Sequence, residues 1–262
     1  MSLLTILILI AAALALRLLF PGKLRRWALL VSSVIAIYWL QPSLPIRQMD
    51  FCFPTATLGL VMAAWGLTAE KGQFKQKQNW LAATLALGTV LLLGLLRFVS
   101  LKGILTASRP PQFTSVLIAL LIVAALTLAL ARFLKPSRPA LTAGVLLILV
   151  FFIILKNPTL ATQTSAALRG LMSQDATLAL PTDLGWLGFS YVAFRLIHTL
   201  IDRINGRLNE MGLDEMLIYT IFFPSFMAGP LDKLQRFRKD LDAPQPLDAE
   251  ELKTSGQRLA TG

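Results

Sequence analysis

Residues 113–134 read FTSVLIALLIVAALTLALARFL, 22 positions with a single charge at Arg132. A helix of that length rises about 33 Å, enough to cross about 30 Å of hydrocarbon. Similar stretches recur along the chain, over Leu3–Phe20, Leu24–Leu40, Phe51–Ala69, Trp80–Phe98, Ala140–Leu155, Leu184–Ile201 and Leu213–Leu231. A water-soluble globule has too little interior to hide all of them, whereas a bilayer accepts them side by side. The composition agrees: 55% hydrophobic, 15% charged, mean hydropathy +0.66, against about 25% charged in an ordinary soluble domain. Disorder, a secreted disulfide scaffold and a soluble enzyme are excluded. The fold class expected is all-α, a polytopic transmembrane bundle of seven to eight hydrophobic segments.

Proline and glycine punctuate the runs at Pro21-Gly22, Pro42 and Pro45, Pro110-Pro111, Pro136 and Pro139, and Asn157-Pro158. Each break stops one helix and lets the next begin. The longest gap is 156–183, within which Leu160–Met172 is weakly amphipathic and suits the membrane interface. Residues 1–201 carry 17 basic and 4 acidic side chains, and residues 202–262 carry 8 and 10, for a net charge of +11. The basic residues lie in short loops, where they set topology and meet anionic headgroups. A nucleic-acid face would gather them on one polar domain, so membrane lipids are expected as partners and nucleic acid is not. The first run has no basic residue before it, and Arg17, Lys23, Arg25 and Arg26 close it. That is the reverse of a cleavable signal. A retained span is expected, in the cell (plasma or inner) membrane with the N-terminus outside. The single Cys52 can form no internal disulfide and reads as packing.

The eighth run is different in kind. It contains Tyr219-Thr-Ile-Phe-Phe-Pro-Ser-Phe-Met-Ala-Gly-Pro230, with Pro224 near its middle and Gly229-Pro230 close to its end. Counting Lys and Arg over eight spans gives twelve in the odd loops and six in the even ones. Six more follow the eighth run, at Lys233, Arg236, Arg238, Lys239, Lys253 and Arg258. A full crossing would cancel the bias, and a dip that returns to the same side would keep it. Broken backbone at membrane depth lines protein or water, so a re-entrant, cavity-lining segment is expected; a proline-kinked complete span is the alternative.

Two groups of residues could carry chemistry. Tyr191, Arg195, His198 and Asp202 are spaced 4, 3 and 4 apart on one helical side. Ionisable groups at bilayer depth must face a partner, water or the bundle interior. Asp202 lies one turn from His198 and could orient it, which makes the pair the single catalytic candidate; a structural ion pair locking the helix to a neighbour is the competing reading. Ser190, Tyr191, Arg195, Pro224, Gly229 and Pro230 are candidate cavity-lining residues. Lys233 and Arg236, directly after the break, are candidates for holding the phosphates of an activated donor, or they anchor a cytosolic exit. One His and one Cys leave too few ligands for a metal site, and no bound cofactor is expected.

These residues resemble a family. Leu187-Gly188-Phe189-Ser190-Tyr191-Val192-Ala193-Phe194 with Asp202 is similar to the Gly-Ile-Ser-Phe-x-x-Phe…Asp stretch of membrane-bound O-acyltransferases. Phe222-Phe223-Pro224, Ala228-Gly229-Pro230-Leu231, Lys233 and Phe237 resemble the Phe-Phe-Pro-x-x-x-Ala-Gly-Pro-Ile-x-Arg…Phe segment of its envelope branch. That branch includes alginate O-acetylases and teichoic-acid D-alanyl transferases. Lys233 departs from the usual Arg, and Arg195 and His198 stand where uncharged residues are usual. The resemblance implies a many-helix bundle whose tunnel or funnels meet near mid-membrane. There an acyl group passes from a thioester or carrier-linked donor to a hydroxyl of an envelope polysaccharide or lipid, with an acyl-carrier or envelope acyl-transfer protein as partner. The family's histidine lies in a Trp-x-x-Trp-His stretch beyond the Ala-Gly-Pro segment, so its role does not pass to His198.

The resemblance also implies that 1–231 is the N-terminal part of such a bundle and that 232–262 is a basic, then acidic cytosolic segment opening a further half. The chain is therefore expected to stop before the catalytic histidine. A transporter or flippase, and a non-catalytic membrane scaffold, are the competing functions, since a broken helix with intramembrane Arg and His suits transport too.

Overall fold

Backbone in hydrocarbon must satisfy its own hydrogen bonds, and every regular element among the described residues is helical. The computed structural model describes residues 3–70, 72–99, 105–208, 210–226, 233–242, 253–254, 256–258 and 261, without the side chains of Lys23 and Asp242. The helices are α1 (Leu3–Leu19), α2 (Gly22–Leu40), α3 (Met49–Thr68), α4 (Lys77–Leu95), α5 (Phe113–Phe133), α6 (Arg138–Lys156), α7 (Pro158–Leu171), α8 (Phe189–Ile204), α9 (Leu213–Thr220) and α10 (Leu234–Asp242). The chain clusters into two units, Met1–Leu231 and Asp232–Gly262, and α10 lies in the second.

Among the described residues four segments are long and apolar enough to cross a membrane: α3, α4 extended by a 3₁₀ turn to Phe98, α5 and α6. The eight sequence runs are thus not eight equivalent helices. α1 is apolar but 17 residues long, and α2 opens on Lys23, Arg25 and Arg26. The seventh run becomes α-helical only from Phe189, and the described part of the eighth yields an eight-residue α-helix that ends at Thr220. At about 1.5 Å per residue α9 spans only about 12 Å.

The core of the first unit is built around α3, which packs against α5, α6, α8 and α9. Gly66 lets α5 come close, since a Cβ there would sit 3.0 Å from both the Leu130 Cβ and the Thr127 carbonyl. α5 and α6 turn Leu117, Ile118, Leu121, Ile122, Leu146 and Leu147 outward, as lipid-facing helices do. α7, in the predicted interfacial stretch, is capped by Asn157, whose side chain accepts from the Leu160 N–H at 3.1 Å. It is tied down by a buried cluster in which Asp183 Oδ2 accepts from Ser165 Oγ (2.6 Å), Arg169 Nε (2.8 Å) and the Leu180 N–H (3.2 Å).

Candidate functional site

The site is best built from α9, because all eight of its residues are buried. A short helix buried at both ends needs partners for its free N–H groups and free carbonyls. At the N-terminus, Glu215 Oε2 accepts from the Gly212 N–H at 3.1 Å and Asn79 Oδ1 accepts from the Leu213 N–H at 2.8 Å. Asp214 and Glu215 add negative charge to the first turn, where the helix dipole favours it. Arg26 of α2 answers that charge, with Nε 2.5 Å from Asp214 Oδ2 and a terminal nitrogen 3.1 Å from Glu215 Oε1. Gln78 donates to the same Asp214 oxygen at 2.9 Å.

At the C-terminus stands Arg195 of α8, 3% exposed. Its guanidinium donates to the carbonyls of Tyr219 (3.0 Å), Thr220 (3.1 Å) and Ser225 (3.3 Å), and to Ser225 Oγ (2.8 Å). Its carbon also lies 5.6 Å from the centroid of the Tyr219 ring, within cation–π range. Helix α9 ends because Pro224 has no N–H to offer and disfavours helical backbone before it. Arg195 supplies donors in place of those the continuing helix would have given. From there the chain enters a 3₁₀ turn over Phe223–Ser225, with the Phe223 N–H directed at Ser33 Oγ of α2 at 3.4 Å. The broken segment is therefore held by one arginine at each end, Arg195 on the free carbonyls of the negative pole and Arg26 on the two carboxylates that complement the positive one.

The start of α8 is fixed with equal care. Gln41 donates to the Gly185 carbonyl (2.8 Å) and accepts from the Leu187 N–H (3.1 Å). The Trp186 indole donates to Thr57 Oγ1 at 2.9 Å and stacks on Phe53. Gly188 turns the chain into α8 at φ +70, and the Phe226 ring occupies the place its Cβ would take, with the nearest ring carbon 2.4 Å from that point. Only glycine meets both demands. At the far end, Arg203 pairs with Glu70 at 2.5 Å.

The sequence-predicted residues divide accordingly. Arg195 and Ser190 lie on α8 near its approach to the break, Arg195 buried, Ser190 and Tyr191 half-buried. His198 is exposed and Asp202 half-buried, and no hydrogen bond or ion pair joins them among the described residues. The four polar positions do not act as one face, because Arg195 lies at the edge of the buried side of α8 and His198 beyond it. Pro224 is exposed at the break. Gly229 and Pro230 lie outside the described residues. Lys233 and Arg236 are exposed in the second unit, at and just before the start of α10 and within it respectively. Among the described residues no three His, Cys, Asp or Glu side chains gather in one place. Sequence reasoning missed Arg26, Asn79, Asp214, Glu215 and Ser225. The available signal was the Asp-Glu pair opening an otherwise apolar run, with Arg26 credited only to topology.

Comparison with known proteins gives a local likeness. The chain is 36% identical over 64 residues to a teichoic acid D-alanyltransferase of Lacticaseibacillus rhamnosus, 24% of this chain and 16% of that protein. It is 40% identical over 57 residues to the same-named protein of Streptococcus thermophilus (22% and 14%), and 34% identical over 58 residues to that of Bacillus subtilis (22% and 15%). The matched stretch thus spans about a sixth or less of each relative's length. These likenesses bear out the resemblance to the acyltransferase branch drawn from the motifs. No family model matches the chain, and no solved structure matches it significantly.

Proposed function

We propose that this chain belongs to a membrane-bound O-acyltransferase that moves an acyl group from a thioester or carrier-linked donor to a hydroxyl of a cell-envelope polysaccharide or lipid. The observation that carries the reading is the 34–40% identity to teichoic acid D-alanyltransferases. The doubly clamped broken helix gives it a physical basis. Helix ends and turns inside a bundle are where proteins place backbone polar groups next to a cavity. The reaction needs a donor carbonyl and an acceptor hydroxyl brought together in a site that excludes bulk water. The hydroxyl, deprotonated by a general base, attacks the acyl carbon and releases the thiol.

In this reading the eighth run re-enters and leaves on its side of origin, the bundle holds seven to eight membrane segments, and the N-terminus lies outside the cell membrane. Arg195 shapes the cavity wall, and Ser190 and Tyr191 line it nearby. Lys233 and Arg236 meet the phosphates of the donor or of its carrier protein. His198 is given no role as base, since it is exposed on α8 while Arg195 is buried.

The test is made in the host. Deleting the reading frame should remove base-labile acyl esters from the envelope polymers, and restoring it should return them. Unchanged ester content would overturn the proposal. Unchanged esters together with a lipid-linked precursor stranded on one membrane face would point to transport instead.

A further inference from the structure

Between α1, α2 and the broken segment lies a crevice of about 290 Å³, lined by Ile8, Leu9 and Ala12 of α1, by Ser32, Ile35, Ala36 and Trp39 of α2, and by Leu105 and Phe223. Its walls are almost wholly apolar, and α1 has no buried residue anywhere along its length. In a bilayer such a hollow does not stay empty, since vacant space forfeits the dispersion contacts of every atom that lines it.

The α2 residues that line it recur at positions 32, 35, 36 and 39, a single helical stripe. Continued seven residues toward the N-terminus, the stripe reaches Arg25, which is half-buried in the first turns of α2. Two helical turns place Arg25 about 10 Å along the axis from Ser32. Of the described cations near it in sequence, Arg17 lies in the last turn of α1 and Arg26 is engaged with Asp214 and Glu215. A positive charge at one end of a helix stripe with an apolar slot two turns further along matches an anionic head and an acyl tail joined in one molecule.

We propose that the α1–α2 crevice binds an anionic phospholipid, its acyl chain in the slot and its phosphate at Arg25. Because Phe223 forms one wall, the acyl chain packs directly on the 3₁₀ turn that follows α9 and supports the break there. This site is separate from the proposed acyl-transfer reaction, and its test does not use that reaction.

The full-length protein, purified in a neutral detergent, is melted with added dioleoyl phosphatidylglycerol, dioleoyl phosphatidylcholine or dihexanoyl phosphatidylglycerol. The long-chain anionic lipid should raise Tm by about 5 °C near saturation. The zwitterionic lipid should raise it less, and the short-chain lipid, with the same head and little tail, should leave it near its starting value. Ala36→Trp should fill the slot and abolish the shift. Ser32→Leu, a milder filling on the same stripe, serves if the tryptophan variant does not fold. Arg25→Gln should make the two long-chain lipids equal. Equal shifts from both long-chain lipids in the unaltered protein, or a full shift retained in Ala36→Trp or Ser32→Leu, would overturn the proposal. A slot filled by another segment of polypeptide or a second copy of the chain would show as no lipid shift, with the same result for the proposal.

Discussion

Replacing Arg195 with methionine keeps an unbranched apolar stem while removing the guanidinium fork. The structure then leaves the carbonyls of Tyr219, Thr220 and Ser225, and the Ser225 hydroxyl, without the donor that reaches all four. Each hydrogen bond to a charged donor contributes about 1.5–3 kcal/mol, and each buried acceptor left bare costs about 1–3 kcal/mol. Simple addition overshoots, because the variant also no longer has to desolvate a cation. No unpaired charge is left behind, only neutral acceptors, and two of them left bare at about 1–3 kcal/mol each give a net loss of about 3–5 kcal/mol. At about 2–4 °C per kcal/mol for a chain of this size, that is a fall in Tm of about 10 °C. Thermal unfolding of the purified protein in detergent, followed by tryptophan fluorescence, reads it. Arg195→Lys should recover part of the loss, since an ammonium retains charge and three donors but not the fork. The exposed His198→Ala, measured alongside, should stay within about 0.5 kcal/mol of the parent. If Arg195→Met melts with the parent protein, or the lysine variant is no better than methionine, Arg195 does not hold the break.

Arg26→Ala removes the opposite clamp and should also cost about 3–5 kcal/mol, because among the described residues Asp214 then keeps only Gln78. The two arginines act at opposite ends of a helix about 12 Å long, so the double variant should lose close to the sum in the same melts, and strong coupling would show that the ends are not independent. Gly188→Ala places a methyl group against the Phe226 ring at a positive φ and should lower stability by about 1–3 kcal/mol, read as a shift in the denaturation midpoint. Burial alone would raise the Asp183 pKa, but hydrogen bonds from Arg169, Ser165 and the Leu180 N–H outweigh it and hold the carboxyl below its ordinary value. The carboxylate therefore contributes its full stabilisation above the unfolded value of about 3.9 and loses it as pH falls through the folded one. Asp183→Asn should be less stable than the parent at pH 7, with the gap closing on acidification; a gap that is constant with pH would refute the assignment.

What the sequence alone determined is what the bilayer enforces on composition. Runs of about 20 apolar residues need backbone that satisfies itself, so the all-α class followed from length and hydropathy, and the proline positions marked where helices stop. Pro224 announced that the eighth run breaks, and Gly188, Ser190, Phe194, Phe222 and Phe223 carry enough of a motif to indicate the acyltransferase likeness. These are local properties, legible because backbone hydrogen bonding and chain stiffness act between residues near in sequence.

The tertiary structure decided everything that depends on which distant group reaches which. That Arg195 serves backbone carbonyls 24 to 30 residues away, while His198 three positions on turns outward, rests on a rotation of about 60° around one helix relative to a neighbour the sequence does not locate. Arg26 looked like one more loop cation because its partners, Asp214 and Glu215, lie almost 190 residues away in the chain. An apolar run contains no record of which helix it packs against, since many side chains fill hydrocarbon equally well. Only the few buried charges, each requiring a particular partner, fix how α2, α8 and α9 come together around the break.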